Sequence, residues 1–139
     1  MHAMLAPDLL CRVLVGDGRL SRDAQRTLQK ARALSVPAIG IAQLTDWQLQ
    51  GRLHGDIGEI LSLLRDKGVQ IAPLGHDTLQ TLANQGWEGS SLSLHDRLAM
   101  ATAISANAIL LTEHQPLAQL APANSLWLPP LSSSEGDIQ

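Results

Sequence analysis

Three acidic side chains in this sequence could act together on a divalent cation. Asp96 lies in the stretch SLSLHDRLAM, Glu113 ends the apolar run AILLTE, and Asp8 lies near the N-terminus. A hard, strongly hydrated ion such as Mg²⁺ needs several anionic oxygen ligands, because a single carboxylate binds it weakly. Structure alone also explains these acids, since Asp96 follows Ser93 by three residues as in a capping box, and Asp8 suits the first turn of a helix. The residue types therefore leave a metal site and a structural role both open.

A row of basic residues could contact phosphates. Arg22, Arg26 and Lys30 recur every four residues along a predicted helix, with Arg19 just before it. The same spacing is typical of a solvated helix face, so both interpretations stand. The net charge of −3 offers no bulk attraction to a polyanion, and any nucleic-acid site must therefore depend on such a local cluster.

Length and composition indicate one domain. The chain has 139 residues, and we expect a folded domain over 1–128 and a disordered tail over 129–139. Its single cysteine, Cys11, excludes an internal disulfide, fits a reducing compartment and is expected in the core. Proline and charged residues interrupt the N-terminal apolar run, so we expect neither a signal peptide nor a membrane span, and a cytoplasmic protein.

The elements that must position the acids alternate along the chain. Apolar runs predict strands near 2–5, 36–41, 69–74 and 108–113, with SLWL as a last edge strand. Helical patterns lie between them, and Ser21 and Ser93 are natural N-caps. This order predicts an α/β fold, a three-layer α/β/α domain with a mainly parallel central sheet. Ligands of such sheets bind beyond the carboxyl ends of the strands. Asp8 and Glu113 lie at the carboxyl ends of the predicted first strand and the 108–113 strand.

Four stretches resemble the PIN domain family, particularly the VapC-like toxins of bacterial toxin–antitoxin pairs. They occur in the family's order and spacing, and they are LAPDLLCRVLVGDGRLS, VPAIGIAQLTDWQLQGRL, HDRLAMATAI and AILLTEH. The resemblance implies a PIN-like fold and a metal-dependent endoribonuclease, in which acidic side chains hold Mg²⁺ or Mn²⁺. It also implies a homodimer that pairs with a small antitoxin.

The family's acidic positions are mostly changed in this sequence. The resemblance aligns its four acids with Ala6, Gln43, Asp96 and His114, of which only Asp96 is anionic. Gln43 keeps a neutral oxygen, and His114 suits a softer ion. Our leading hypothesis is therefore a degenerate site, with cleavage of RNA lost or weakened and the domain retained for binding or regulation.

Two other functions stay open. An active ribonuclease would use Asp96 with Asp8 and Glu113 as a shifted set of Mg²⁺ or Mn²⁺ ligands, and the basic row would bind RNA. A protein-interaction module would instead present Trp87 or Trp127 at an interface. The sequence leaves it undecided whether the protein is an enzyme.

Overall fold

Five parallel strands form the centre of the structure, a computed structural model that describes residues 1–14, 20–87 and 89–131. The strand order is β3-β2-β1-β4-β5, and every pairing is parallel. In chain order the elements are β1 His2–Leu5, α1 Pro7–Leu14, α2 Arg22–Lys30, β2 Ala33–Pro37, α3 Ala38–Leu49, α4 Ile57–Asp66, β3 Gln70–Ala72, α5 His76–Asn84, α6 Leu94–Ser105, β4 Ile109–Thr112, α7 Gln115–Leu120 and β5 Ser125–Trp127.

Helices cover both faces of the sheet because its central strands are apolar on both sides. Side chains alternate along a strand, so Ala3 and Leu5 of β1 enter one core cluster and Met4 enters the other. The first core lies between the sheet and α1 to α4, and the second lies between the sheet and α6 with α7. The predicted three-layer α/β/α architecture is confirmed, and the predicted mainly parallel sheet is parallel throughout its described strands.

Side-chain caps begin three of the helices. The Ser21 hydroxyl accepts a hydrogen bond from Ala24 N–H at the start of α2, and Asp56 accepts one from Gly58 N–H at α4. The Ser93 hydroxyl accepts one from Asp96 N–H at α6. The predicted caps Ser21 and Ser93 are confirmed, and α6 thereby begins just before Asp96.

Two predicted strands differ from the structure. The strand predicted over 36–41 runs instead from Ala33 to Pro37, and α3 begins at Ala38, because the apolar run there also suits the buried side of a helix. The strand predicted over 69–74 is shorter in the structure. β3 is an edge strand of three residues, and Ile71 is 42% exposed.

Some predictions lie outside the described residues, namely Arg19 and residues 132–139 of the expected tail. Over the part of the chain that is described, no helix is both long and apolar enough to cross a bilayer.

Candidate functional site

One pocket of about 280 Å³ lies where β1 and β4 end. Helices α1, α3 and α6 and the turn after β4 supply its lining residues, which are Pro7, Asp8, Gln43, Trp47, His95, Asp96, Glu113 and His114. The three predicted acids Asp8, Asp96 and Glu113 all line this pocket. Of the changed family positions, Gln43 and His114 line it and Ala6 does not. Ala6 has no exposed surface and packs in the second core.

Asp8 joins the start of α1 to the end of β4. Its Oδ2 accepts a hydrogen bond from Glu113 N–H at 2.9 Å, and both of its oxygens lie 3.1–3.2 Å from the hydroxyl of Thr112. Thr112 is fully buried, and its oxygen in turn accepts a bond from His114 N–H at 3.0 Å. The Asp8 carboxylate thus satisfies donors of its own chain that would otherwise be desolvated without a partner.

Glu113 is paired with a cation of the chain itself. Arg12 Nε donates to Glu113 Oε1 at 2.7 Å, and the Glu113 side chain is only 10% exposed. The guanidinium comes from α1, one helical turn after Asp8, so the two bonds tie the same helix to the same turn. A sheltered pair of this kind neutralises the carboxylate that a metal ion would need.

Asp96 differs from the other two acids. Its backbone N–H is used by the Ser93 cap, while its half-buried side chain lines the pocket. Within the described residues, no hydrogen-bond donor contacts its carboxylate. The cap thus uses the backbone of Asp96, and the carboxylate lines the pocket without taking part in the cap.

The donor set does not fit a hard divalent cation. Over residues 1–14, 20–87 and 89–131, no three side chains of His, Cys, Asp or Glu lie close enough to share one metal ion. Two of the pocket's three carboxylates, Asp8 and Glu113, are bound to donors of the protein. The remaining lining positions offer a neutral amide from half-buried Gln43 and an imidazole from exposed His114.

Sequence reasoning missed several residues of this site. Trp47 packs against the first core and also lines the pocket, and the Arg52 guanidinium lies 5.2 Å from the centre of its ring. Arg12 and Thr112 were not singled out, although Arg12 donates a hydrogen bond to the Glu113 carboxylate and Thr112 donates one to the Asp8 carboxylate. No local spacing indicates the contact of Arg12, because its partner Glu113 is 101 positions away. His95, which directly precedes Asp96, also lines the pocket.

The predicted basic row lies elsewhere. Arg22, Arg26 and Lys30 are exposed on α2, and none of them lines the acidic pocket. Arg26 and Lys30 line a separate groove between α2 and β5. The structure therefore does not bring the basic row together with Asp96.

Three other residues singled out from the sequence have defined environments. Cys11 is half-buried against the first core, and burial raises the pKa of its thiol. Trp87 packs against the second core. Trp127 is 39% exposed, and its indole N–H donates to the Glu113 carbonyl at 3.1 Å. Of the two tryptophans predicted for an interface, Trp127 is the exposed one.

Comparisons with known proteins bear on the fold. The sequence matches no family model and no curated protein. Among solved structures, it is similar to VapBC2 from Rickettsia felis bound to a promoter DNA fragment, with 15% identity, a TM-score of 0.68, and coverage of 91% of this chain and 98% of the other. It is also similar to VapBC-1 from nontypeable Haemophilus influenzae, with 13% identity, a TM-score of 0.68, and coverage of 92% of this chain and 98% of the other. A toxin–antitoxin complex from Klebsiella pneumoniae is 14% identical, with a TM-score of 0.65 and coverage of 93% of this chain and 99% of the other.

These likenesses extend over almost the full length of both chains in each pair. At such low identities they show the fold and leave the chemistry to the site itself. The resemblance seen in the sequence motifs is thus confirmed at the level of architecture, and the chain has the VapC-like PIN fold.

Proposed function

We propose that this PIN-fold domain has lost, or severely weakened, metal-dependent RNA cleavage and acts by binding a partner protein. The observation that carries the proposal is the engagement of Asp8 and Glu113 by the chain's own donors. Among the described residues that line this pocket, Asp96 alone keeps a carboxylate without a protein donor. One carboxylate holds Mg²⁺ or Mn²⁺ weakly, because these ions need several anionic oxygens to replace their hydration shell.

Titration with Mn²⁺ and a nuclease assay on total RNA test the loss of cleavage. We expect no micromolar binding by calorimetry and the same background cleavage for the parent, Asp96→Ala and Asp46→Ala. Asp46 is the matched control because it is an exposed acid of α3 that does not line the pocket. Micromolar Mn²⁺ affinity, with cleavage abolished by Asp96→Ala and retained by Asp46→Ala, would overturn the proposal.

An apolar groove supports the partner-binding half of the proposal. Aliphatic side chains of α1, α2 and α4, among them Leu10, Leu28 and Leu64, line a cavity of about 520 Å³. Val13 and Leu63 of the same lining are exposed. Exposed apolar surface around a concave site is typical of protein interfaces. Because the similar structures are toxin–antitoxin complexes, we propose a small antitoxin-like protein as the partner.

The proposal includes a homodimer, as the sequence resemblance implies. Light scattering over a range of concentrations should give twice the mass of the 14.9 kDa chain. A monomer at every concentration would contradict that part while leaving the partner protein to be tested by co-purification.

A second candidate function is the active ribonuclease that uses Asp96 with Asp8 and Glu113. Its support is that all three acids line one pocket. It requires Glu113 to leave Arg12, and Asp8 to give up the N–H of Glu113, before the carboxylates can share an ion. RNA would then contact Arg22, Arg26 and Lys30 on α2. Cleavage in the nuclease assay that depends on both Asp96 and Mg²⁺ or Mn²⁺ would favour this candidate.

A further inference from the structure

A second groove, of about 350 Å³, separates α2 from the outermost strand β5. The residues that line it from α2 are Asp23, Arg26, Thr27 and Lys30, and those from β5 and the residues that follow are Leu126, Trp127, Leu128 and Pro129. Leu128 also belongs to the first core. The groove shares no lining residue with the acidic pocket, and it combines two cations with exposed apolar groups.

The outer edge of β5 carries no further strand within residues 1–14, 20–87 and 89–131. β5 is the last strand in the sheet order, and β4 pairs with it on the other edge. Leu128 N–H donates to Thr112 O across this pairing. Because backbone groups of alternate residues point to opposite edges, the N–H and C=O of Ser125 and Trp127 point away from β4. In the described part of the chain, these outward backbone groups have no protein partner, which makes the edge a template for another strand.

Charge on the groove is locally positive. Among the described residues that line the groove, Arg26 and Lys30 are positive and Asp23 is negative. Arg22 is exposed on the same helix, outside the lining. The whole chain carries −3, so this cluster is a local exception. A ligand that carries carboxylates is attracted to this cluster. In an extended ligand chain, the side chains of alternate residues would lie on the face that these cations occupy.

The apolar groups beside the cations favour a peptide over a nucleic acid. Leu126 is 41% exposed and Trp127 is 39% exposed. Single-stranded nucleic acids are bound by several aromatic platforms, whereas this groove has one aromatic ring, and its N–H is already used by Glu113 O. Aliphatic side chains of a peptide fit such a surface better than bases do.

We infer that an extended, acidic and aliphatic segment of a partner protein adds to the sheet as a strand beside β5, with its carboxylates facing Arg26 and Lys30. The inference rests on the proposed partner-binding function and specifies the chemistry of the partner. α2 connects it to the apolar groove, since Leu28 lines that groove and Thr27 lines this one. One partner chain can therefore contact both sides of α2.

A short synthetic peptide in which glutamate alternates with valine is the probe, with the full chain in EDTA and fluorescence anisotropy as the readout. We expect saturable binding, weakened at least about tenfold by Arg26→Glu with Lys30→Glu. Arg52→Glu with Arg65→Glu is the matched control, because it reverses two exposed charges that line neither this groove nor the apolar groove. The control variant should bind the peptide as the parent does.

Two altered probes separate strand addition from simple charge attraction. A peptide methylated on alternate backbone nitrogens cannot pair along one edge, and it should lose binding while keeping its charge. A peptide with lysine in place of glutamate should not bind. Equal binding of the methylated peptide, no binding of the parent peptide, or competition by a single-stranded RNA that binds more tightly would each overturn the inference. Because EDTA is present, none of these results bears on whether Mn²⁺-dependent cleavage has been lost.

Discussion

The acids of the pocket show how neighbours decide what a carboxylate does. Asp8 and Glu113 lie at strand ends, where a metal site would be sought, yet each is committed to a donor of the protein. Thr112 donates to Asp8, and Arg12 donates to Glu113. The absence of acids at Ala6, Gln43 and His114 is therefore only part of what distinguishes this pocket from a metal site. The carboxylates of Asp8 and Glu113 also have structural partners, which the carboxylate of Asp96 lacks among the described residues.

Asp8 is predicted to stabilise the fold. Asp8→Ala removes the acceptor of the buried Thr112 hydroxyl and of Glu113 N–H, and should lower the free energy of unfolding by about 1–3 kcal/mol. Asp8→Asn keeps one oxygen and should cost less. Urea unfolding measures both, with Asp46→Ala as the control, since that exposed acid bonds only to Gln50 and should change stability by about 0.5 kcal/mol or less. Equal costs for Asp8→Ala and Asp46→Ala would contradict the structural role.

Returning negative charge to the pocket should return metal affinity. Gln43→Glu with His114→Asp places two carboxylates in the pocket that Asp96 lines, and we expect the Mn²⁺ dissociation constant to fall by about tenfold or more. The measurement is calorimetric titration of the double variant and the parent. Gln29→Glu with Gln119→Asp is the control, because it adds the same charge at exposed positions outside the pocket. If both double variants bind alike, net charge and not the site explains the gain.

At the level of elements, the sequence predicted helix starts that depend on residues close together in the chain. Ser21 and Ser93 identified the starts of α2 and α6 because a cap depends on residues within one turn. The boundary between β2 and α3 was misplaced, since the apolar run around Pro37 suits either a buried strand or a buried helix face. The exposed edge position of β3 depends on strand order, which no local pattern contains.

The same distinction holds for the site. Residues that follow strands could be predicted to meet, because parallel strands end at one edge of the sheet. The partners of those residues could not be predicted, since Arg12 and Glu113 are 101 positions apart and Asp8 and Thr112 are 104 apart. Which carboxylate remains uncommitted thus follows from tertiary contacts.

Ser93 is predicted to stabilise α6, the helix that carries Asp96. Ser93→Ala removes the acceptor of Asp96 N–H and should cost about 1 kcal/mol of unfolding free energy. Ser91→Ala, at an exposed position before the helix, should change it by less than about 0.5 kcal/mol. The two midpoints in urea give the comparison. A Ser93→Ala variant as stable as Ser91→Ala would mean that the cap does not stabilise the helix.

On the scale of the whole molecule, the two cores share their strands. Leu110 and Leu111 are neighbours in β4, both fully buried, and they enter the second and the first core respectively. Trp87 packs against the second core and Trp47 against the first. Each face therefore has a fluorescent reporter, and each depends on the same strand for its packing.

Because β4 belongs to both cores, we predict that a cavity on either face destabilises the whole domain. Leu110→Ala and Leu111→Ala should each cost about 2–5 kcal/mol, a large part of the roughly 5–15 kcal/mol typical of a domain. In variants that keep only Trp47 or only Trp87, the urea midpoints should shift together for either cavity, whereas Leu49→Ala at an 83% exposed position should leave both unchanged. If Leu110→Ala moves the Trp87 transition alone, the two faces unfold separately. In that case the acidic pocket, which takes residues from α1 and α3 on one face and α6 on the other, would be held together less firmly than the shared sheet implies.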